Sequence, residues 1–369
     1  MTVGGIFMKK ILLFLLYFNF LLTYAEGIYK FPAEYFKHET TWLVWPHEHT
    51  YGEKYRDELE PIWIEMAKHL SFSEKVCIIV YDRNEKYRVS KILERSKANM
   101  ENVRFFVYKT DDVWIRDTGP FFVYDENKNL VVLNFGFNGW GGKVPYNRDK
   151  NLKKFIGKLL NLEIINLKDI VLEGGAVELG DDGTCLLTKS AILNKNRNPD
   201  LSVEELKFYL NKYLGANKFV ILEGVEGIDI TDFHIDGFAK VYKDKIITMK
   251  REELIEWGLS ESDIEILYSA KNNKGKKFDF VFLPLTKNNV TLKNGKNLRY
   301  KGSYVNFYIA NKVVLVPVYN DPNDSVALRI LENIFPKRKV VGIDVRELYK
   351  YGGMIHCVTI QQPKMVEYN

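Results

Sequence analysis

The sequence predicts an α/β fold assembled radially from a repeated hairpin–helix–strand unit, and three observations lead to it. Apolar strand-like runs alternate with amphipathic helical stretches. Segments of hairpin form recur five times. The polar residues with chemical potential gather at the starts of those hairpins. With 369 residues and 46% hydrophobic content the chain can bury a large core, and closed α/β architectures accommodate this length as one unit.

In chain order, the first segment lies outside the expected fold. Lys9 and Lys10 precede an apolar run, Ile11 to Leu22, and Thr23-Tyr24-Ala25 reads as a small-x-small cleavage site. Residues 1–25 are therefore expected to be a secretory signal peptide, with 26–369 as a single catalytic domain exported to the periplasm and not held in the membrane after cleavage. VCIIVY reads as a strand, Asn84–Met100 as a helix and VRFFVY as a strand. Further helices are expected around Asn151–Leu160, Ser202–Leu214, Arg251–Ala270 and Asp324–Ile334, the second with a Ser202/Glu205 capping box.

The five hairpin segments start at Gly119, Gly174, Gly237, Ser303 and Gly352, at intervals of 55, 63, 66 and 49 residues. Four contain both strands around a short turn (DENKN, GDDG, KDK, ANK). The fifth, GGMIHCVTIQQP, has one strand only, and TTWLVWP from Thr41 is its expected partner, so that the two ends of the mature chain close the ring.

Charge and cysteine content narrow the function. The net charge of +5 falls to +3 without Lys9 and Lys10, and no basic run is interleaved with aromatics, which argues against a nucleic-acid surface. Cys77, Cys185 and Cys357 cannot build a disulfide framework. Cys77 and Cys185 sit in apolar runs as small core residues. Cys357, between His356 and a Gln pair, stands apart.

The entrances to the hairpins read TDDVWIRDTGP from Thr110, VLEGG from Val171, DFHIDG from Asp232 and GGMIHC from Gly352. Singly, an Asp before Gly-Pro or a Glu before Gly-Gly is a common turn residue. Radial repetition, however, would bring Asp117, Glu173, His234, Asp236 and Cys357 to one axis. On a strand, His234 and Asp236 would share a face. A cysteine with a histidine is a nucleophile with its acid/base partner. The surrounding carboxylates would raise the thiol pKa and repel anions, while offering paired acceptors to a planar guanidinium. Trp114 would cover a cationic or alkyl part of the ligand. The expected partner is thus a small cationic guanidine. His47-x-His49 lacks the spacing of a zinc helix and a third ligand nearby, and a cysteine protease would require oxyanion donors in place of carboxylates.

These motifs (WIRDTGP, EGG, HIDG and GGMIHCVTIQQP, with FPAEYFKHETTWLVWP from Phe31, NFGFNGWGGK from Asn134, DPND and FPKRKVVGI) resemble the agmatine deiminase/bacterial-type peptidylarginine deiminase family of the guanidine-modifying pentein superfamily, over nearly the whole mature chain. The resemblance implies a fivefold pseudosymmetric α/β propeller and a hydrolase with no metal or organic cofactor, in which a homo-oligomer is allowed. It assigns Cys357 as nucleophile, Asp117 and Asp236 as guanidinium ligands, His234 as acid and base, and Glu173 as support. NFGFNGWGGK follows the agmatine branch, with Asp229 and Asp232 as candidates for the distal ammonium. Phe233 stands where the family usually has glycine. The resemblance leaves an exported peptidylarginine or arginine deiminase, and a non-catalytic guanidine- or polyamine-binding module, as alternatives.

Overall fold

A computed structural model describes residues 29–365; the expected signal peptide lies outside the described residues. The described residues form five small sheets, each an antiparallel pair extended by one parallel strand, or by two in the sheet that joins the chain ends. Phe121–Tyr124, Leu130–Gly136 and Glu163–Val171 form one, and Val177–Leu179, Thr184–Thr188 and Lys218–Leu222 the next. Lys240–Tyr242, Lys245–Thr248 and Asp279–Phe282 form the third, and Tyr308–Ile309, Val313–Val318 and Lys339–Asp344 the fourth. The fifth joins the two ends of the described chain: Ile360–Pro363 pairs antiparallel with His38–Val44, with Trp42 opposite Ile360, and Lys75–Val80 and Val103–Val107 follow in parallel. The closure expected from the sequence is therefore present.

Parallel strands require a crossover, and helices supply it. Leu152–Leu159, Val203–Leu214 and Asp324–Ile334 lie where the periodicity puts them, and Ser202 with Glu205 makes the expected capping box. Two expectations are corrected. Arg251–Ala270 is two helices, Arg251–Trp257 and Glu261–Tyr268, because Gly258 turns left-handed (φ 115°) and Ser260 caps the second. The helix from Asn84 ends at Arg95, well short of Met100, and a separate 3-10 turn follows at Met100–Asn102.

The longest helix, Glu53–Ser71, was not singled out by the sequence reading, although Tyr55, Leu59, Ile62, Trp63, Met66 and Leu70 make a regular buried stripe. Its internal Pro61 is tolerated on the exposed face. One large apolar cluster spans Ala33 to Val358, and a second packs around Cys185. No helix of the described residues is long and apolar enough to cross a membrane.

Candidate active site

At four of the five hairpin entrances the chain makes a single helical turn before entering the strand: Ile115–Thr118, Gly174–Ala176, Ile235–Gly237 and His356–Val358. These turns pack against one another at the middle of the ring. His234 and Asp236 are therefore not on a strand. His234 caps the Ile235–Gly237 turn and Asp236 lies inside it. The shared-face argument fails locally, yet both side chains reach the same place from above Gly175. A Cβ added at Gly175 would lie 2.6 Å from His234 Nδ1, 3.0 Å from Asp236 Oδ2 and 3.2 Å from Asp117 Oδ1, so only glycine leaves these three groups room to meet.

Asp117 is buried, and its carboxylate accepts from Trp140 Nε1 at 3.0 Å and from the Gly175 N–H at 2.9 Å. Burial pushes its pKa up, and the charges of Glu173 and Asp236 add to the rise against the pull of His234. Asp236 is lowered: burial alone would raise it, but His356, 2.7 Å from Oδ2, more than offsets that. For His234 burial favours the neutral ring, yet Asp117 and the Glu173 hydrogen bond (3.0 Å from Nε2) raise it to about 9. Glu173 is fully buried behind His234 and also accepts twice from Arg197 Nε, at 2.8 and 3.0 Å.

Cys357 is partly exposed, unlike the buried Cys77 and Cys185. Its thiol lies 3.5 Å from Asn306 Oδ1. Burial, then the nearby Asp236 and Asp117 charges, push it well above an ordinary cysteine. Trp114 packs on Gly353, where a Cβ would come within 2.2 Å of the indole, and so forms a wall next to the cysteine turn. Asp117, Glu173, His234, Asp236, Cys357 and Trp114 are thus all brought to one region.

Asp232 is a correction. It is buried, and Oδ2 is bound by Arg197 Nη1 and Lys143 Nζ, each at 2.6 Å, with Asn194 also donating; Oδ1 accepts from the Gly227 N–H. A carboxylate so engaged is not free to receive a substrate ammonium. Asp229 is exposed, with Oδ1 closing a turn onto Thr231 and Phe233. Phe233 itself adopts φ 81° and stacks on Phe238, turned into the core. His47 and His49 lie against Tyr81, and among the described residues no group of three His, Cys, Asp or Glu side chains is placed to hold a metal.

Comparison with known proteins gives the family of this chain. A family model described as Porphyromonas-type peptidyl-arginine deiminase matches residues 30–363. The chain belongs to that family. An agmatine deiminase of Pseudomonas aeruginosa (strain LESB58) is 30% identical over 369 residues, covering 92% of this chain and 96% of its own. The structure of the Enterococcus faecalis agmatine deiminase superposes with a TM-score of 0.80 at 26% identity (92% and 97% coverage), and that of the C. jejuni enzyme with substrate bound with 0.79 at 27% identity (92% and 97%). The fold is that of these deiminases.

Several residues around this site carry no signal in the sequence. Arg197, which orients Glu173, lies in NKNRNPD, which reads as a polar loop. Asn306, at the fourth entrance, accepts from the His356 N–H (3.0 Å) and donates to the Asp236 carbonyl (3.1 Å), but no charge marks it. Trp140 lies inside NFGFNGWGGK, and Glu34 inside FPAEYF, where neither has a role that the sequence alone assigns.

Proposed function

We propose that the protein hydrolyses agmatine to N-carbamoylputrescine and ammonia through a covalent intermediate on Cys357. One observation supports this reading above the others. Asp117, His234 and Asp236 meet over the bare Gly175 next to a cysteine, and among the described residues the Asp117 carboxylate accepts hydrogen bonds only from the neutral donors Trp140 and Gly175, with His234 farther off at 3.8 Å. A guanidinium placed between Asp117 and Asp236 gives both carboxylates a planar cation with matching donors. Burial and the Asp236 and Asp117 charges hold the thiol protonated; the guanidinium screens the two charges, so the thiol gives its proton to solvent as substrate binds.

The Cys357 thiolate then bonds to the guanidinium carbon. His234, protonated through most of the neutral range, gives its proton to one nitrogen, and that C–N bond breaks to release ammonia. The now neutral His234 takes a proton from water as the oxygen bonds to the thiouronium carbon. The C–S bond then breaks as the remaining hydroxyl proton passes to the sulfur, leaving the neutral ureido product and the Cys357 thiol. Glu173, clamped by Arg197, keeps the His234 ring in place.

Agmatine is favoured over free arginine because the cations near this rim are already engaged. Arg197 is fully buried on Glu173 and Asp232, and Lys143 binds Asp232 and the Ile230 carbonyl, which leaves neither for an α-carboxylate. Of the two acids expected at the far end, Asp229 keeps an exposed carboxylate for the ammonium. The N-terminal segment supports export to the periplasm as part of the same proposal.

The test is to incubate the protein with agmatine, free arginine and an arginine peptide, and to measure ammonia and ureido product. Agmatine is expected to react fastest. Faster turnover of the peptide would move the enzyme to the other branch, and no turnover of any would leave only a binding protein. Cys357→Ser is expected to lose at least about 10⁴-fold in turnover while still binding agmatine; an active serine variant would contradict the covalent route.

A further inference from the structure

Behind the reacting groups, on the side of Asp236 away from Gly175, lies a buried chain that the mechanism above does not use. His356 Nδ1 is 2.7 Å from Asp236 Oδ2, and His356 Nε2 is 2.7 Å from Glu34 Oε2. All three side chains are buried. A neutral imidazole has one N–H; its other nitrogen presents a lone pair, which a carboxylate oxygen at 2.7 Å would repel. Both contacts are attractive only if both ring nitrogens donate, or if one carboxylate holds the proton.

The surroundings decide between these. Glu34 also accepts from Lys240 Nζ at 3.3 Å, Arg116 Nη2 at 3.3 Å and the Ile309 N–H at 2.9 Å, so it is already placed among donors that favour its anion. Although burial works against it, Lys240, His356 and Arg116 hold Glu34 well below the usual carboxylate range, and Asp236 is lowered, against burial, by His356 first and then by His234 and Arg116. Also facing this chain are Glu178, a buried acid 3.9 Å from Lys240, then His234, Asp117 and Cys357 around Asp236 on the substrate side, and Tyr308 and His38 beside Glu34. The backbone is fixed as well: Asn306 takes the His356 N–H, and Arg116 Nε donates to the His356 carbonyl.

We propose, building on the reading of Asp236 as a guanidinium ligand, that His356 is a positioning residue: donating from both ring nitrogens, it ties Asp236 to Glu34 and keeps the Asp236 carboxylate ionised and aimed across Gly175 at the substrate. Its neighbour Cys357 supplies the nucleophile, so adjacent residues serve the carbon and, through Asp236, the nitrogens of the same guanidinium.

The decisive variant is His356→Asn, whose amide keeps one neutral donor toward Asp236 and loses the second donor and the charge. The expected result is a KM for agmatine raised at least tenfold at pH 6, with the gap closing toward pH 8.5 as Asp236 ionises unaided, and an acid limb of kcat/KM moved up by about one pH unit or more. Glu34→Gln should shift the limb the same way by less. A loss equal at every pH, or an unchanged profile, overturns the proposal. Should His356→Asn not fold, Glu34→Gln and the ¹⁵N spectrum of histidine-labelled native protein decide: two protonated ring nitrogens on His356 at pH 7 are expected, and a single protonated nitrogen refutes it. If the native protein turns over no guanidine, the proposed function fails by itself, while the spectrum still reads the His356 arrangement.

Discussion

Two acids at the middle of the ring, Asp117 and Glu34, are both buried, yet they are treated in opposite ways. Glu34 has three cationic side chains within 3.3 Å: Lys240, Arg116 and His356. Among the described residues Asp117 has none so near, with His234 at 3.8 Å; Lys153 reaches the Asp117 carbonyl oxygen. Burial raises both carboxylates, but only Glu34 has the partners to end up lowered. The small cavity of about 30 Å³ between Glu34, Arg116, Glu178, His356 and Gln361 belongs to the closed, compensated side. On the open side, the proposed function has Asp117 meet its cation only when substrate arrives. Burial is common to the two; the supply of direct cationic partners separates structure from function.

The comparison breaks most visibly on the compensated side. Lys240→Met removes the ammonium facing both Glu34 and Glu178 in the interior. Breaking a buried pair in this way should cost about 3–5 kcal/mol, read as a lower denaturant midpoint at unchanged slope. His234 lies between the two regimes. Its raised pKa, about 9 against an ordinary 6.5, means that its contribution to stability is fully present below about pH 6.5 and is lost as pH rises through 9. That contribution is roughly 3 kcal/mol at most. The difference in melting temperature between native protein and His234→Gln should therefore shrink across this window; a constant difference would mean that the imidazolium is not what the site stabilises.

How much of this could be read beforehand follows from what each residue leaves in a one-dimensional pattern. The hairpins were legible because their turns and alternating apolar residues are local, and the closing pair His38–Val44 with Ile360–Pro363 followed from counting an unpaired strand. Asp117, Glu173, His234, Asp236 and Cys357 were legible because they repeat at one register of the unit. Their local conformation was not: each sits in or beside a single turn whose geometry is set by packing against the neighbouring entrances. Arg197 and Asn306 were hidden for a different reason. They act through contacts more than twenty residues away in sequence, to Glu173 and Cys357, and nothing in their own neighbourhoods signals it. Asp232 misled because a carboxylate two residues before a candidate histidine looks available, and only the fold shows Arg197 and Lys143 occupying it.

The smallest expected change in stability is the sharpest test of the comparison. Asp117→Asn keeps the oxygen that accepts from the Gly175 N–H, but turns an amide N–H₂ toward Trp140 Nε1, which then lacks an acceptor. That loss, with the attraction to His234, costs on the order of 1–3 kcal/mol for a buried donor left unmade. Against it stand two gains: no ionised carboxylate has to be kept in the interior, and the repulsion from Glu173 and Asp236 disappears. The opposing effects should leave the unfolding free energy within about 1 kcal/mol of the native protein, while kcat/KM for agmatine falls by about 10³ because the guanidinium loses one of its two anchors. Chemical denaturation and steady-state kinetics on the same preparation measure both. A variant destabilised as strongly as Lys240→Met would show that Asp117 is held by partners of its own, and the two sides of the ring would then be alike; a variant that keeps its stability and loses its activity shows an acid retained in the core for the substrate alone.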